Sequence, residues 1–216
     1  IPGEDLPGSL SAAEFVSWYN GHPDHVGLEP ALDSERAVII GNGNVAIDMA
    51  RLLLVSPDVL HGSSDMATHA LEALAGSGIR EVVLVGRRGP EHAAFTTPEL
   101  LSLVNNPDID VIVDPAELAS LTDADDGERT AETYAANQKA KLLRRAAEPP
   151  NGAAKRLVLR FGLTPQEVRG EDHVQAVTFG RTGEDSADIE AIDARAAQEE
   201  SSGDPVADAP FDASAI

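Results

Sequence analysis

Three small residues, Gly41, Gly43 and Ala46, lie at the spacing of a turn that wraps around a phosphate group. They fit the pattern G-x-G-x-x-G/A, in which the first glycine makes a tight turn and the second removes a Cβ where a pyrophosphate approaches the backbone. The small third residue lets a helix lie close to a strand. Free N–H groups at the helix start, from about Asn44, would face the phosphates. The simpler alternative is an ordinary strand–helix turn.

The segments before and after this turn are predicted to be a strand and a helix, as this motif requires. Ala37–Ile40 is a short apolar run that ends at a glycine, which predicts a central parallel strand buried on both faces. The residues after the turn predict an amphipathic helix, because apolar side chains recur at helical spacing: Val45, Met49, Leu52 and Leu53. The three parts predict a nucleotide-binding unit.

A pair of arginines follows the next buried strand, EVVLVG at Glu81–Gly86. In a Rossmann unit this strand end reaches the adenosine ribose, where an acidic residue favours NAD and an arginine accommodates the 2′-phosphate of NADP. Arg87 and Arg88 carry planar donors that suit a phosphate, which favours NADP. The pair lies about 45 residues beyond the glycines instead of about 20, which predicts a helical insertion. Two solvated arginines at a turn are the alternative.

Composition and motif content exclude several classes of function. The 216 residues carry a net charge of −21, which argues against nucleic-acid binding. Without cysteine there is no disulfide, thiolate nucleophile or cysteine-ligated cluster, and no apolar run approaches the roughly 20 residues that span a bilayer. The default location is therefore cytoplasmic. The sequence has no G-x-S-x-G elbow and its six histidines lack a metal-ligand pattern, so we expect neither a hydrolase nor a metal site.

The remaining patterns predict an α/β fold: a Rossmann-like three-layer domain with a central parallel sheet plus a small antiparallel sheet. Strands are predicted at Ile109–Asp114, Arg156–Phe161 and Val174–Arg181, and the last two alternate more and are predicted to be antiparallel. A predicted helix over residues 129–147 has a basic end, which either complements the helix dipole or forms a docking site: Lys139, Lys141, Arg144 and Arg145.

The chain is predicted to divide into an NADP(H)-binding domain, residues 1–181, and an acidic loop or tail, residues 182–216. The second part contains ten acidic residues and one arginine. Its low hydrophobicity and high charge predict a flexible segment.

Six segments, taken in order, resemble the NADPH-binding domain of the adrenodoxin-reductase-like ferredoxin–NADP(+) reductases, FAD-containing enzymes with two dinucleotide-binding folds. They are IPGEDLPG (1–8), FVSWYNGHP (15–23), GNGNVAIDMARLLL (41–54), EVVLVGRRGP (81–90), AAFTTPEL (93–100) and VDPAEL (113–118). The resemblance covers residues 1–181.

The resemblance implies roles for particular residues. The pyrophosphate would be lined by Asn42, Gly43, Asn44 and Val45, and the 2′-phosphate would be held by Arg87 and Arg88. Glu99 would be a further NADP contact. Asp48 matches an aspartate near the flavin–nicotinamide junction that is implicated in proton handling. From the residues alone, Asp48 is equally a carboxylate favoured by the helix dipole and able to pair with Arg51.

The sequence also departs from the family pattern. The family's FAD-binding glycine turn and its C-terminal G-W-x-K-R-G-P-T-G segment are missing, so we expect a fragment whose FAD is held mainly by segments absent from this chain. Glu91 and His92 replace the usual apolar residue and glutamine after RRGP, and Glu91 adds a negative charge near the expected phosphate site.

The resemblance implies the NADP(H)-binding part of a flavin-dependent oxidoreductase. Hydride would pass between NADPH and FAD, and electrons would then pass to a ferredoxin-like iron–sulfur protein. Two alternatives remain: a free-standing NADP-binding module without redox activity, and a subunit of another NADPH-dependent flavin oxidoreductase, although the glutamate-synthase type would normally show cysteine-ligated clusters.

Overall fold

The computed structural model describes residues 1–63, 65–122, 130–183 and 189–193. Its main sheet has four parallel strands in the order β1-β2-β4-β3: β1 (Arg36–Ile40), β2 (Glu81–Gly86), β3 (Ile109–Val113) and β4 (Lys155–Phe161). A second, antiparallel sheet has the order β5-β6-β7: β5 (Leu163–Arg169), β6 (Ala176–Arg181) and β7 (Ile189–Asp193).

The described residues also form six α-helices and two short 3₁₀ turns. The helices are α1 (Ala12–Tyr19), α2 (Asn44–Leu54), α3 (Pro57–Ser63), α4 (Thr68–Ala75), α5 (Thr97–Val104) and α6 (Ala131–Ala146), and the 3₁₀ turns are Pro90–His92 and Pro115–Leu118. The helices α3 and α4 form the predicted insertion between α2 and β2. Helix α1 starts with a capping box between Ser11 and Glu14, and its Trp18 is buried in the core.

The main sheet is covered on both faces, which gives three layers. Val82 and Leu84 of β2 pack into the core beneath the helices, whereas Val83 and Val85 pack against the antiparallel sheet, where Phe179 is completely buried. Period-two alternation of side chains explains this division, because neighbouring residues of a strand point to opposite faces. The predicted fold class, a parallel sheet with helices and a small antiparallel sheet, is confirmed.

The prediction that Arg156–Phe161 is antiparallel is wrong. This segment is β4, which pairs in parallel with β2 on one side and with β3 on the other. Two arginines within the strand made its pattern look half-exposed, but both are in ion pairs: Arg156 with Glu81, and Arg160 with Glu117 and Glu190. The antiparallel prediction is confirmed for β6, whereas β5 was not predicted, because Pro165 interrupts its pattern at an irregularity in the pairing.

Part of the segment predicted to be an acidic tail forms a strand. β7 pairs with β6 along its length, and its Ile192 is buried between the two sheets. The remaining residues of this segment beyond Gly183 lie outside the described part of the chain. The division into domains at residue 181 stays a prediction.

A buried ion-pair cluster connects β4 to β7 and to the 3₁₀ turn after β3. The Arg160 side chain is only 3% exposed; its guanidinium makes two hydrogen bonds to the Glu190 carboxylate, and its Nε donates to Glu117 Oε1 at 2.7 Å. The other Glu117 oxygen accepts from the Phe161 N–H at 2.7 Å. Burial raises the pKa of the Glu117 carboxyl above its ordinary value, although Arg160 acts in the opposite direction.

Strand β1, predicted to be central, lies at one end of the main sheet, and among the described strands only β2 pairs with it. Ile39 is buried, but Ile40 is 48% exposed. A cavity of about 980 Å³ runs along this edge, between residues 7–12, residues 29–35 and the apolar side chains of Val168 and Val174. The free side of β1 therefore faces a cavity whose lining includes acidic as well as apolar residues.

Candidate functional site

The glycine turn joins β1 to α2 at the carboxyl edge of the parallel sheet. Gly41 has a φ of +127°, a conformation that favours glycine, and its N–H donates to Val85 O at 2.8 Å. Gly43 is the N-cap of α2, which begins at Asn44. The free N–H groups of this first helical turn are therefore placed where the sequence predicts a phosphate site.

A loop from the start of α5 holds the turn in position. The N–H groups of Ala94 and Phe95 donate to Asn42 O at 3.1 and 2.9 Å, and the Thr96 N–H donates to Asn44 Oδ1 at 2.8 Å. A Cβ at Gly86, the last residue of β2, would collide with the Asn42 amide. Asn42 and Asn44 are therefore fixed by their neighbours before any ligand binds.

Arg87 and Arg88 lie at the same edge of the sheet as the turn, because β1 and β2 are parallel neighbours with Ile40 opposite Val85. Both side chains are exposed, and neither forms an ion pair with a described residue. Their carbonyls accept hydrogen bonds from residues that adjoin the antiparallel sheet: Thr182 Oγ1 donates to Arg87 O at 2.7 Å, and Gly162 N–H donates to Arg88 O at 3.1 Å. The main chain of the pair is fixed while both guanidinium groups face solvent.

The other predicted site residues lie on the two helices beside the turn. Val45 is in the first turn of α2 and is 52% exposed, and Glu99 is partly exposed in the first turn of α5. Asp48 lies one helical turn beyond Asn44, and its Oδ1 is 2.9 Å from Arg51 Nη2. The ion pair expected from the residues alone is present, whereas the proton-handling role of Asp48 stays a prediction.

Glu91 follows the arginine pair by three residues and belongs to the 3₁₀ turn Pro90–His92. Its carboxylate sits over Gly89, and His92 Nε2 is 3.5 Å from Glu91 Oε1. Ser120 Oγ donates to the other oxygen at 3.5 Å. A negative charge therefore lies in the loop that follows Arg87 and Arg88, where it would oppose a bound phosphate.

Replacing Gly43 with valine should leave the fold intact and weaken dinucleotide binding. Gly43 has an extended φ of −92°, and no described atom lies within 4 Å of the place a Cβ would occupy. We expect the free energy of unfolding to fall by less than about 1 kcal/mol, since valine is only a poorer N-cap. The affinities for NADP+ and NAD+ should each fall at least about tenfold, a loss of about 1.4 kcal/mol.

Urea unfolding and calorimetric titration check this expectation. Gly41→Val is the contrasting variant, because its positive φ should make the substitution destabilising as well. Unchanged dinucleotide affinity in Gly43→Val would mean that the turn does not face a pyrophosphate.

No described helix is long and apolar enough to cross a membrane. Nor do three or more histidine, cysteine, aspartate or glutamate residues of the described chain group as ligands for a metal ion.

Comparison with known proteins gives several relatives, although no family model matches the chain. NADPH-ferredoxin reductase FprA from Mycobacterium tuberculosis is 50% identical over 182 residues, which are 84% of this chain and 39% of that protein. The mitochondrial NADPH:adrenodoxin oxidoreductase of Arabidopsis thaliana is 51% identical over 129 residues, 59% of this chain and 26% of that protein. The chain thus spans about two-fifths of the length of its FprA relative.

Comparison of the fold with solved structures gives the same group of proteins. The solved structure of Mycobacterium tuberculosis FprA in complex with NADPH superposes with a TM-score of 0.80 at 45% identity, over 90% of this chain and 45% of that chain. The chain is therefore similar in sequence and in fold to a segment of an NADPH-ferredoxin reductase, and in sequence to a segment of an adrenodoxin oxidoreductase, in agreement with the resemblance that its motifs indicate.

Proposed function

We propose that this chain is the NADP(H)-binding part of a flavin-dependent ferredoxin- or adrenodoxin-type NADP(+) reductase. The observation that carries the proposal is the position of Arg87 and Arg88, exposed at the same sheet edge as the Gly41–Gly43 turn. One site thus offers helix N–H groups for a pyrophosphate and two guanidinium groups for a 2′-phosphate. The relatives named above, which include NADPH-ferredoxin reductases, support it.

Each proposed contact follows from the chemistry of the residue. The turn at Gly41–Gly43 would receive the pyrophosphate against the backbone N–H groups at the start of α2, beside Asn42, Asn44 and Val45. Arg87 and Arg88 would hold the 2′-phosphate, and Glu99 would be a further contact with the nucleotide. The open space at Gly43 fits a group that approaches the main chain closely.

The bound cofactors would supply the redox chemistry, in which hydride passes from NADPH to FAD and electrons then pass to an iron–sulfur protein. FAD would be held mainly by parts of the reductase outside this chain. Asp48 would handle a proton near the junction of the two cofactors, with Arg51, 2.9 Å away, holding its carboxylate.

The proposed partner is a ferredoxin-like iron–sulfur protein. Such partners are commonly acidic, so a net charge of −21 on the chain would repel them unless a basic surface compensates. The exposed end of α6 is the proposed docking surface, and it carries Lys141, Arg144 and Arg145. A cytoplasmic location is part of this proposal.

Calorimetric titration with NADP+ and NAD+ tests the proposal most directly. Hydrogen bonds to charged groups contribute about 1.5–3 kcal/mol, so the double substitution Arg87→Ala/Arg88→Ala should weaken NADP+ binding about tenfold or more. NAD+ binding should hardly change, because NAD+ lacks the 2′-phosphate.

Arg169→Ala is the control variant, since Arg169 is exposed on β5 and is paired with Glu167. It should bind both dinucleotides as the unmodified chain does. Equal, weak binding of NADP+ and NAD+ that the double substitution does not alter would refute the 2′-phosphate assignment.

A further inference from the structure

Lys139 differs from the other basic residues of α6 in where its charge lies. Its Nζ donates to Ala93 O at 2.5 Å and lies 5.4 Å from the centre of the Phe95 ring. Lys141, two residues further along the helix, is exposed. Burial lowers the pKa of the Lys139 ammonium. The Lys139 side chain is therefore partly buried and directed at Ala93 and Phe95, unlike that of Lys141.

The group that Lys139 contacts is the loop that holds the phosphate turn. Ala93 and Phe95 are buried, and the next N–H groups of the same loop donate to Asn42 O and to Asn44 Oδ1. A single short loop, residues 93–96, thus connects the Lys139 ammonium to both asparagines. The Lys139–Ala93 contact joins residues that are 46 positions apart in the chain.

The packing of α6 against the domain does not explain why a lysine occupies position 139. Helix α6 is already fixed by the buried side chains of Ala140, Leu143 and Ala146. Partial burial of an ammonium is unfavourable unless hydrogen bonds compensate for it, so an apolar side chain would serve better if packing alone were needed. What the ammonium adds is a charged donor directed at one carbonyl of the loop, together with a cation–π contact.

We propose that Lys139 is a positioning residue for the pyrophosphate turn: by fixing loop 93–96 through Ala93 O and Phe95, it sets the geometry of Asn42 and Asn44. The inference rests on the proposed function, because it concerns how tightly the same site holds a dinucleotide. Lys139 itself contacts loop 93–96 and acts through it. Its removal should therefore affect the pyrophosphate, which NADP+ and NAD+ share, and not the choice between them.

The test compares Lys139→Met, Lys139→Arg and the control Lys141→Met in titrations of the full chain with NADP+ and NAD+. We expect Lys139→Met to weaken both dinucleotides by about fivefold to tenfold, which is less than the loss of a direct charged hydrogen bond to the ligand, because the ammonium acts through the loop. The NADP+/NAD+ ratio should be unchanged, unlike in Arg87→Ala/Arg88→Ala. Lys139→Arg, which keeps a charged donor, should restore affinity to within about twofold, and Lys141→Met should bind normally.

Backbone amide NMR shifts give a second readout that does not depend on binding. In Lys139→Met the amide signals of Asn42 and Asn44 should move, whereas in Lys141→Met they should stay in place. If Lys139→Met does not fold, Lys139→Gln, a neutral donor, replaces it in both measurements.

Unchanged affinity, or affinity that arginine does not restore, would overturn the positioning role. If the unmodified chain binds neither dinucleotide, the proposed function fails. The amide shifts then decide on Lys139 separately, and unmoved Asn42 and Asn44 signals would overturn the inference.

Discussion

Replacing Arg160 with alanine is expected to lower the free energy of unfolding by about 3–5 kcal/mol, the cost of breaking a buried ion pair by removing one partner. The substitution leaves the carboxylates of Glu117 and Glu190 without their shared cation, and the Glu117 side chain is only 4% exposed. It also removes the contact by which β4 holds β7. Urea unfolding at pH 7, followed by circular dichroism, measures the loss.

The pH dependence of this loss gives a more specific check. Burial already raises the pKa of Glu117, and without Arg160 the pKa of Glu117 should rise further. A carboxyl whose pKa is higher in the folded state favours folding at low pH and loses that contribution as the pH rises through the folded pKa. The deficit of Arg160→Ala should therefore be smaller near pH 5 than at pH 7.

Arg156→Ala is the matched control on the same strand. Its side chain is 55% exposed, and its partner Glu81 keeps a second ion pair with Arg36. The cost should be within about 1 kcal/mol, as for exposed ion pairs. A similar loss in Arg156→Ala and Arg160→Ala would show that the buried cluster has no special role in stability.

The second large effect is expected for Asp110→Ala in β3. The buried Asp110 carboxylate accepts three backbone hydrogen bonds, from Asn151 at 2.9 Å, Gly152 at 2.9 Å and Ala153 at 2.7 Å. These bonds shape the loop between α6 and β4. Hydrogen bonds to a charged group contribute about 1.5–3 kcal/mol each. Because exposed N–H groups of the loop can donate to water instead, we expect the free energy of unfolding to fall by about 3 kcal/mol in total.

Two further variants serve as controls. Asp110→Asn removes the charge at the buried position, and Asp108→Ala removes a neighbouring carboxylate that is exposed. Asparagine keeps one acceptor oxygen and should lose about half as much stability, whereas Asp108 is exposed and its replacement should cost less than about 0.5 kcal/mol. Thermal unfolding of the three variants makes the comparison. Equal stability of Asp110→Ala and the unmodified chain would mean that water replaces all three bonds.

Local pattern was sufficient to predict the structural elements of the candidate site that are contiguous in the chain. The strand, glycine turn and helix of residues 37–54 follow from β-branched residues, from Gly41 and from helical periodicity, and the structure contains all three. Arg87 and Arg88 were predictable because a buried strand ends immediately before them. In both cases the residues expected to bind the ligand are adjacent in sequence to the strand or helix that positions them.

Contacts between distant segments could not be predicted in this way. The sequence of β4 looked half-exposed because Glu81, Glu117 and Glu190, the partners of its arginines, lie in three other segments. Lys139 similarly looked like one more surface charge on α6, because Ala93 and Phe95 belong to a different loop. No periodic pattern indicates a partner that lies dozens of residues away.

The open edge of β1 has a practical consequence for handling this chain by itself. An edge strand with apolar side chains such as Ile40 is a template on which further strands can pair, so it favours self-association and aggregation. Mutual repulsion between chains of net charge −21 opposes this at low ionic strength. Added salt screens that repulsion, with a screening length of about 10 Å at 0.1 M, but does not supply the second partner strand that β1 lacks among the described strands. Dilute buffer should therefore preserve a dispersed sample, and concentrated sulfate or phosphate should precipitate it.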